Sequence, residues 1–156
     1  MDRDLEYMRR AIELAHEAER AGNLPVGSVI VLDGDIVAEG RNAIWDPHVS
    51  PNRHAEIEAL EALPPDMRTR GREMTLYSTL EPCPICLCAT LVHRISRVVF
   101  GANDEWGGAS CVIGCLPPAF ERLLQDMEWV GPTMPEECGK LNERLFAMLD
   151  EKNRIW

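Results

Sequence analysis

No apolar run among the 156 residues reaches the roughly 18 that a bilayer-crossing helix needs. The opening Met1-Asp2-Arg3-Asp4 lacks the basic and apolar regions of a secretion signal. The expectation is a cytoplasmic protein with no membrane partner. Internal repeats and low-complexity tracts are also absent, and the length suits one domain with one core, 1–156. Positive charge is scarce: 16 Lys and Arg stand against 26 Asp and Glu, a net charge of −10. Such a balance argues against holding a polyanion by counterion release, so nucleic acid is not the expected partner. Arg68, Arg70 and Arg72 form the densest basic cluster and read as a solvated loop. There are six cysteines, but the close grouping of Cys83, Cys86 and Cys88 lacks the spacing of a disulfide scaffold, and metal binding in a reducing compartment fits better.

What the chain does contain is two short stretches, His54-Ala55-Glu56 and Pro82-Cys83-Pro84-Ile85-Cys86. Zinc takes imidazole nitrogen and thiolate sulfur in a tetrahedral shell, and a catalytic site leaves one of its positions open. His54, Cys83 and Cys86 can fill the other positions, with Glu56 as a proton carrier and not a ligand. On a regular helix the His54 and Glu56 side chains would diverge by about 200°, whereas a first-turn backbone lets them converge.

The remaining pattern is that of an α/β chain. Leu5 to Ala21 is an amphipathic helix stopped by Gly22-Asn23. Val26–Leu32 and Ile36–Gly40 flank Asp33-Gly34 as a β-hairpin. A loop then leads to His54, where a helix begins that Pro64-Pro65 ends. Met74–Leu80 is a strand closed by Glu81-Pro82, Pro84 opens a helix to about His93, and Val98–Phe100 is a buried strand. A helix over 117–127, a short strand over 128–130 and a final helix over 135–153 complete the chain. Asn42 reads either as a turn residue or as a substrate contact at a strand end. Trp106, in the loop 103–108, reads either as a cover over core or as a lid that stacks on a flat ring. Cys111, Cys115 and Cys138 are expected to be small buried residues, Cys88 likewise.

His-Ala-Glu followed at a distance by Pro-Cys-x-x-Cys resembles the zinc deaminase signature. Pro25-Val26-Gly27, Arg41-Asn42, Thr79-Leu80-Glu81-Pro82 and Gly101-Ala102-Asn103-Asp104 extend the likeness over nearly the whole chain. They resemble the cytidine/deoxycytidylate deaminase superfamily, in the branch with tRNA adenosine deaminase, guanine deaminase and yeast-type cytosine deaminase. The resemblance implies a three-layer fold, a five-stranded mixed sheet with helices on both faces, and a homodimer paired across the metal-site helices. It implies one Zn2+ per chain on His54, Cys83 and Cys86, with Glu56 as the catalytic acid-base. Asn42 would hydrogen-bond the base, and the Glu81 carbonyl would meet the departing amine.

The chain departs from tRNA-editing relatives after the fourth strand. They resemble Asp-x-Lys-Thr-Gly-Ala, and here Asp104-Glu105-Trp106-Gly107-Gly108-Ala109 has no lysine. An aromatic at Trp106 resembles the cytosine deaminase arrangement, and Trp156 would cap the pocket as chain ends do in the free-base branch. The expected activity is therefore hydrolytic removal of the amine from a small nucleobase or nucleoside, with guanine or cytosine favoured, releasing ammonia. One alternative is adenosine-to-inosine editing of tRNA. Another is a non-catalytic structural-zinc or regulatory protein, with Cys88 closing the metal shell.

Overall fold

In the computed structural model, which describes residues 2–152, the first amphipathic stretch is helix α1, Asp2–Arg20. Met8, Ala11, Ala15 and Ala18 form its fully buried stripe, spaced three or four apart as a single helix face requires. Strands β1 (Gly27–Leu32) and β2 (Asp35–Arg41) form a hairpin. Its turn residues Asp33 and Gly34 both have positive φ, 55° and 89°, which is the backbone a two-residue turn needs. Then follow α2 (Ala55–Ala62), β3 (Met74–Leu80), α3 (Pro84–Val92), β4 (Arg97–Ala102), α4 (Pro118–Leu124), β5 (Glu128–Val130) and α5 (Pro135–Glu151). None of the described helices is long and apolar enough to cross a membrane.

The five strands form one sheet in the order β2-β1-β3-β4-β5. β1 runs antiparallel to β2 and β3, while β3, β4 and β5 are parallel. Alternation along β1 builds a core on each face. Val29 and Val31 pack with Tyr7, Met8, Ala11 and Leu14 of α1 and with Cys138 of α5. Ile30 and Leu32 pack with Ala59 and Leu60 of α2 on the other face. This is the expected three-layer arrangement.

Three local expectations need correction. Cys111 and Cys115 are exposed, because the 3-10 turns over 109–115 direct Val112 and Ile113 toward the apolar cluster of α3 and α4 and leave the thiols outside. Cys138 is buried as anticipated. The arginine cluster is solvated as expected, with Arg68 and Arg72 exposed and Arg70 half-buried, but it is a 3-10 segment, Arg68–Glu73, and not a loop. Arg68 donates to the Glu61 and Leu63 carbonyls, Arg70 pairs with Asp33 and Glu73, and Arg72 pairs with Asp126, so its charge is largely spent locally. Finally, β4 continues past Phe100 to Ala102, which pairs with Leu80.

That last pair places the ends of β3 and β4 side by side, and β2 ends at the same edge because Arg41 pairs with Gly27 at the start of antiparallel β1. Asn42, Glu81 and the loop from Asn103 therefore leave the sheet together, as ligand-binding loops of open α/β sheets do. Helix α2 lies against β2 at Gly40, where a Cβ would stand 2.1 Å from the Ala55 carbonyl oxygen and 2.3 Å from the Ala59 nitrogen. Backbone cannot yield there. Gly40→Ala should therefore lift the start of α2 off the sheet and destabilise the fold by about 1–3 kcal/mol. The urea midpoint checks this, and a wild-type midpoint would show that α2 shifts freely.

Candidate active site

Helices α2 and α3 both begin at this edge, and each is preceded by a residue in extended backbone: His54 (φ −72°, ψ 153°) and Cys83 (φ −72°, ψ 170°). Because His54 stands outside the helix, its ring and the Glu56 carboxylate face the same space. Pro84 occupies the first helical position, where a missing N–H costs nothing. The free N–H groups of two helix starts thus point toward one small volume, which favours negative charge.

Into that volume converge three soft donors. His54 Nδ1 lies 3.5 Å from both Cys83 Sγ and Cys86 Sγ. A tetrahedral zinc, with nitrogen at about 2.05 Å and sulfur at about 2.3 Å, sets such ligand atoms about 3.5 Å apart. The donor set fits zinc in chemistry and in spacing. Cys88 lies two residues past Cys86 on α3, a step that carries a helical side chain about 200° around the axis. Among the described residues the convergent donors are His54, Cys83 and Cys86, without Cys88.

Glu56 is buried at 4 % exposure beside them. Ser78 Oγ donates to its Oε1 at 2.9 Å, and its Oε2 lies 3.4 Å from Cys86 Sγ. Burial, with the negative charge of Cys83, pushes the Glu56 carboxyl up from its ordinary range. Within the thiol pair the hydrogen bond from Cys86 holds Cys83 down, helped by His54, and the same bond, with burial, pushes Cys86 up. His54 is held up chiefly by its hydrogen bond with Cys83.

These groups form one wall of a cavity of about 640 Å³, counting its open mouth. Asn42 lines it, buried at 4 % exposure, with Oδ1 accepting the Ile44 N–H at 3.3 Å. Glu81 and Trp106 line it too. Trp106 is 62 % exposed, so it does not cover core; its ring stands edge-on to Phe146, with centroids 6.0 Å apart at 82°. Asp104 lines it as well, with Glu105 in the open grooves beside its mouth, and no Lys or Arg is among the described lining residues. Trp156 lies outside the described residues.

Several contributors escaped the sequence reading. Leu145, Phe146 and Leu149 of α5 complete the cavity, where the sequence pattern showed only a final helix. Ser78 sits in a strand where alternation marks it only as inward-facing. Asn23 is 2 % exposed; its Oδ1 accepts N–H groups from Trp45 and Asp46, folding down the loop that carries the chain from Asn42 to His54. Nothing in the sequence marked Asn23 beyond a turn signal.

The profile of the cytidine and deoxycytidylate deaminase zinc-binding region matches residues 1–102. A protein named tRNA-specific adenosine deaminase from Bacillus subtilis (strain 168) is 36% identical over 155 residues, covering 99% of this chain and 95% of the relative. Another of that name, from Haemophilus influenzae, is 38% identical over 156 residues, covering 97% and 88%. A solved structure from a study of A-to-I editing by tRNA deaminases at the wobble position of transfer RNA superposes with a TM-score of 0.68. It is 27% identical, and the match covers 88% of this chain and 99% of that one. With its zinc-fitting donors and buried carboxylate inside the matched span, the chain belongs to the cytidine and deoxycytidylate deaminase family of zinc-binding proteins.

Proposed function

We propose that the chain is a hydrolytic deaminase acting on adenosine within tRNA. The observation that carries this reading is the end-to-end match to the Bacillus subtilis tRNA-specific adenosine deaminase, 36% identical across 99% of the chain. It reverses the order of preference drawn from the sequence, which favoured a small guanine- or cytosine-type substrate.

His54, Cys83 and Cys86 would hold the zinc, which when bound supplies a Lewis acid that lowers a water's pKa from 15.7 toward about 7. Glu56 takes up the proton released by the attacking water and delivers it to the ring nitrogen. As the C–N bond breaks, the proton of the newly added hydroxyl passes to the amine, which leaves as ammonia while the ring carbon keeps the oxygen as a carbonyl. A carboxyl that gains protons easily suits both steps, and burial of Glu56 supports that role. Ser78 fixes one of its oxygens, so the other remains the working atom. Asn42 binds the base through its amide, the Glu81 carbonyl receives the amine, and Trp106 stacks on the ring from the mouth.

A free nucleobase or nucleoside is the second reading, favoured by the acidic mouth and the net charge of −10. We further read α3 as a pairing surface for a second copy. Ile85 and Val92, two turns apart, are 56% and 62% exposed on this otherwise apolar helix. Val92→Asp should then halve the mass measured by light scattering while leaving the melting temperature of the monomer near the wild-type value; an unchanged mass removes α3 from the interface.

Cys83→Ala should lose zinc, read by metal analysis, and with it stability. Glu56→Ala should keep zinc and lose about 10² to 10⁴ in turnover. Full turnover in that variant would assign the proton transfers elsewhere. The substrate is decided by ammonia release from a panel of adenine, guanine, cytosine, their nucleosides and a tRNA anticodon stem-loop. Release confined to the stem-loop, with affinity falling steeply as salt rises, is the expected result. Release from a free base at undiminished rate in high salt would establish the second reading instead.

A further inference from the structure

The family likeness gives Glu81 a role through its backbone carbonyl, yet its side chain is the more heavily engaged part. It is 6 % exposed, and both carboxylate oxygens accept backbone N–H groups from the loop after β4. Oε2 takes the Asp104 N–H at 3.0 Å, and Oε1 takes the Ser110 N–H at 2.8 Å. One carboxylate thus brackets the loop that carries Trp106. Inside the bracket, Asp104 Oδ1 accepts the N–H groups of Trp106 and Gly107, each at 3.0 Å, and the Asp104 carbonyl accepts from Gly108 at 2.9 Å. The chain passes so close over the carboxylate that a Cβ at Gly108 would lie 2.4 Å from Glu81 Cδ. The Pro82 carbonyl, one residue on, accepts the Ala109 N–H at 2.9 Å. The Cys83 turn and the Trp106 loop are therefore tied together, chiefly by one anionic group whose hydrogen bonds are of the strong, charge-assisted kind.

We propose that the Glu81 carboxylate is the positioning group that holds Trp106 over the cavity, and so sets how tightly the substrate ring is held. This rests on the reading of Trp106 as the stacking residue of a deaminase. Gln at this position keeps the length and shape of the side chain but replaces one acceptor with an NH2 that faces another N–H. Such a change strikes the clamp while leaving the Glu81 carbonyl in place.

The test uses the zinc-loaded full chain as wild type, Glu81→Gln, Trp106→Ala and the double variant. Amide hydrogen exchange at Asp104 and Ser110, zinc content, and kcat and KM on whichever panel compound turns over are measured together. In Glu81→Gln, exchange at one of the two amides should quicken at least about tenfold, and KM should rise about tenfold, as loss of one charge-assisted hydrogen bond implies. Zinc content should hold and kcat should change by less than about threefold, because the metal donors are untouched. In the double variant KM should rise little beyond that of Trp106→Ala, since both changes remove the same contact. Unchanged amide protection, loss of zinc, or fully multiplying KM effects would each overturn the proposal. If no panel compound reacts, the functional reading fails on its own account, and the exchange rates still decide whether Glu81 holds the loop.

Discussion

The constraint on which the rest depends is the meeting of three metal donors and a carboxylate in a space a few ångströms across. Each is expensive to bury alone. A carboxylate or thiolate withdrawn from water needs partners or it takes up a proton. The structure meets that need with geometry supplied by elements far apart in sequence: two helix starts, extended residues at their caps, and a hydroxyl from the strand beneath. His54 and Cys83 both stand in extended backbone just ahead of their helices, and for His54 this is decisive, because inside α2 a two-residue step would turn it about 200° away from Glu56. Gly40 is tied to the same requirement, since α2 can bring its first turn to the sheet edge only where β2 has no side chain. The site and the packing thus meet at a glycine that is not itself part of the cavity lining.

Which parts of this were legible beforehand follows from how far each signal reaches along the chain. The metal donors and Glu56 lie in two stretches of a few residues, so spacing alone assembled them. β3 and β5 have the bounds read from sequence, and the layered architecture followed from alternating strand and helix patterns. Ser78 was not legible, because its use requires knowing that α2 crosses β3 with Glu56 directed at it. Phe146 was not legible either, because a half-exposed aromatic on a helix carries no mark of the loop it faces, forty residues earlier. The exposed Cys111 and Cys115 failed for a related reason. Composition says cysteine is usually inside, but here the partly buried places of 109–115 against the α3 and α4 cluster go to Val112 and Ile113.

Charge is where the comparisons and the surface pull in different directions. Relatives aligned along the full chain are named for tRNA, while the chain carries −10 and its cavity mouth shows Asp104 and Glu105. Net charge is a weak guide when the contact area is small, since screening confines each charge to about 8–10 Å at physiological salt. A deaminase that takes a single base out of a loop needs cations along the flanking phosphates and not at the ring itself. An acidic mouth therefore bears on the path of the backbone more than on the identity of the base. The opposite side of the cavity, formed by Ile44, Leu145, Phe146 and Leu149, is apolar.

The arrangement of rigidity follows the same logic. Glu56 and Cys86 stand in the first turns of helices packed on the buried core, and His54 and Cys83 stand at the caps just before them. Trp106 stands on a loop held by hydrogen bonds to the Glu81 and Asp104 carboxylates, with its ring edge-on to Phe146. Bonds of that kind are directional, so they set a loop accurately, yet each contributes only a modest net stability and can be exchanged for water. The zinc-fitting donors and the loop at the cavity edge are thereby held by different forces, burial of packed helices for the first and directional hydrogen bonds for the second.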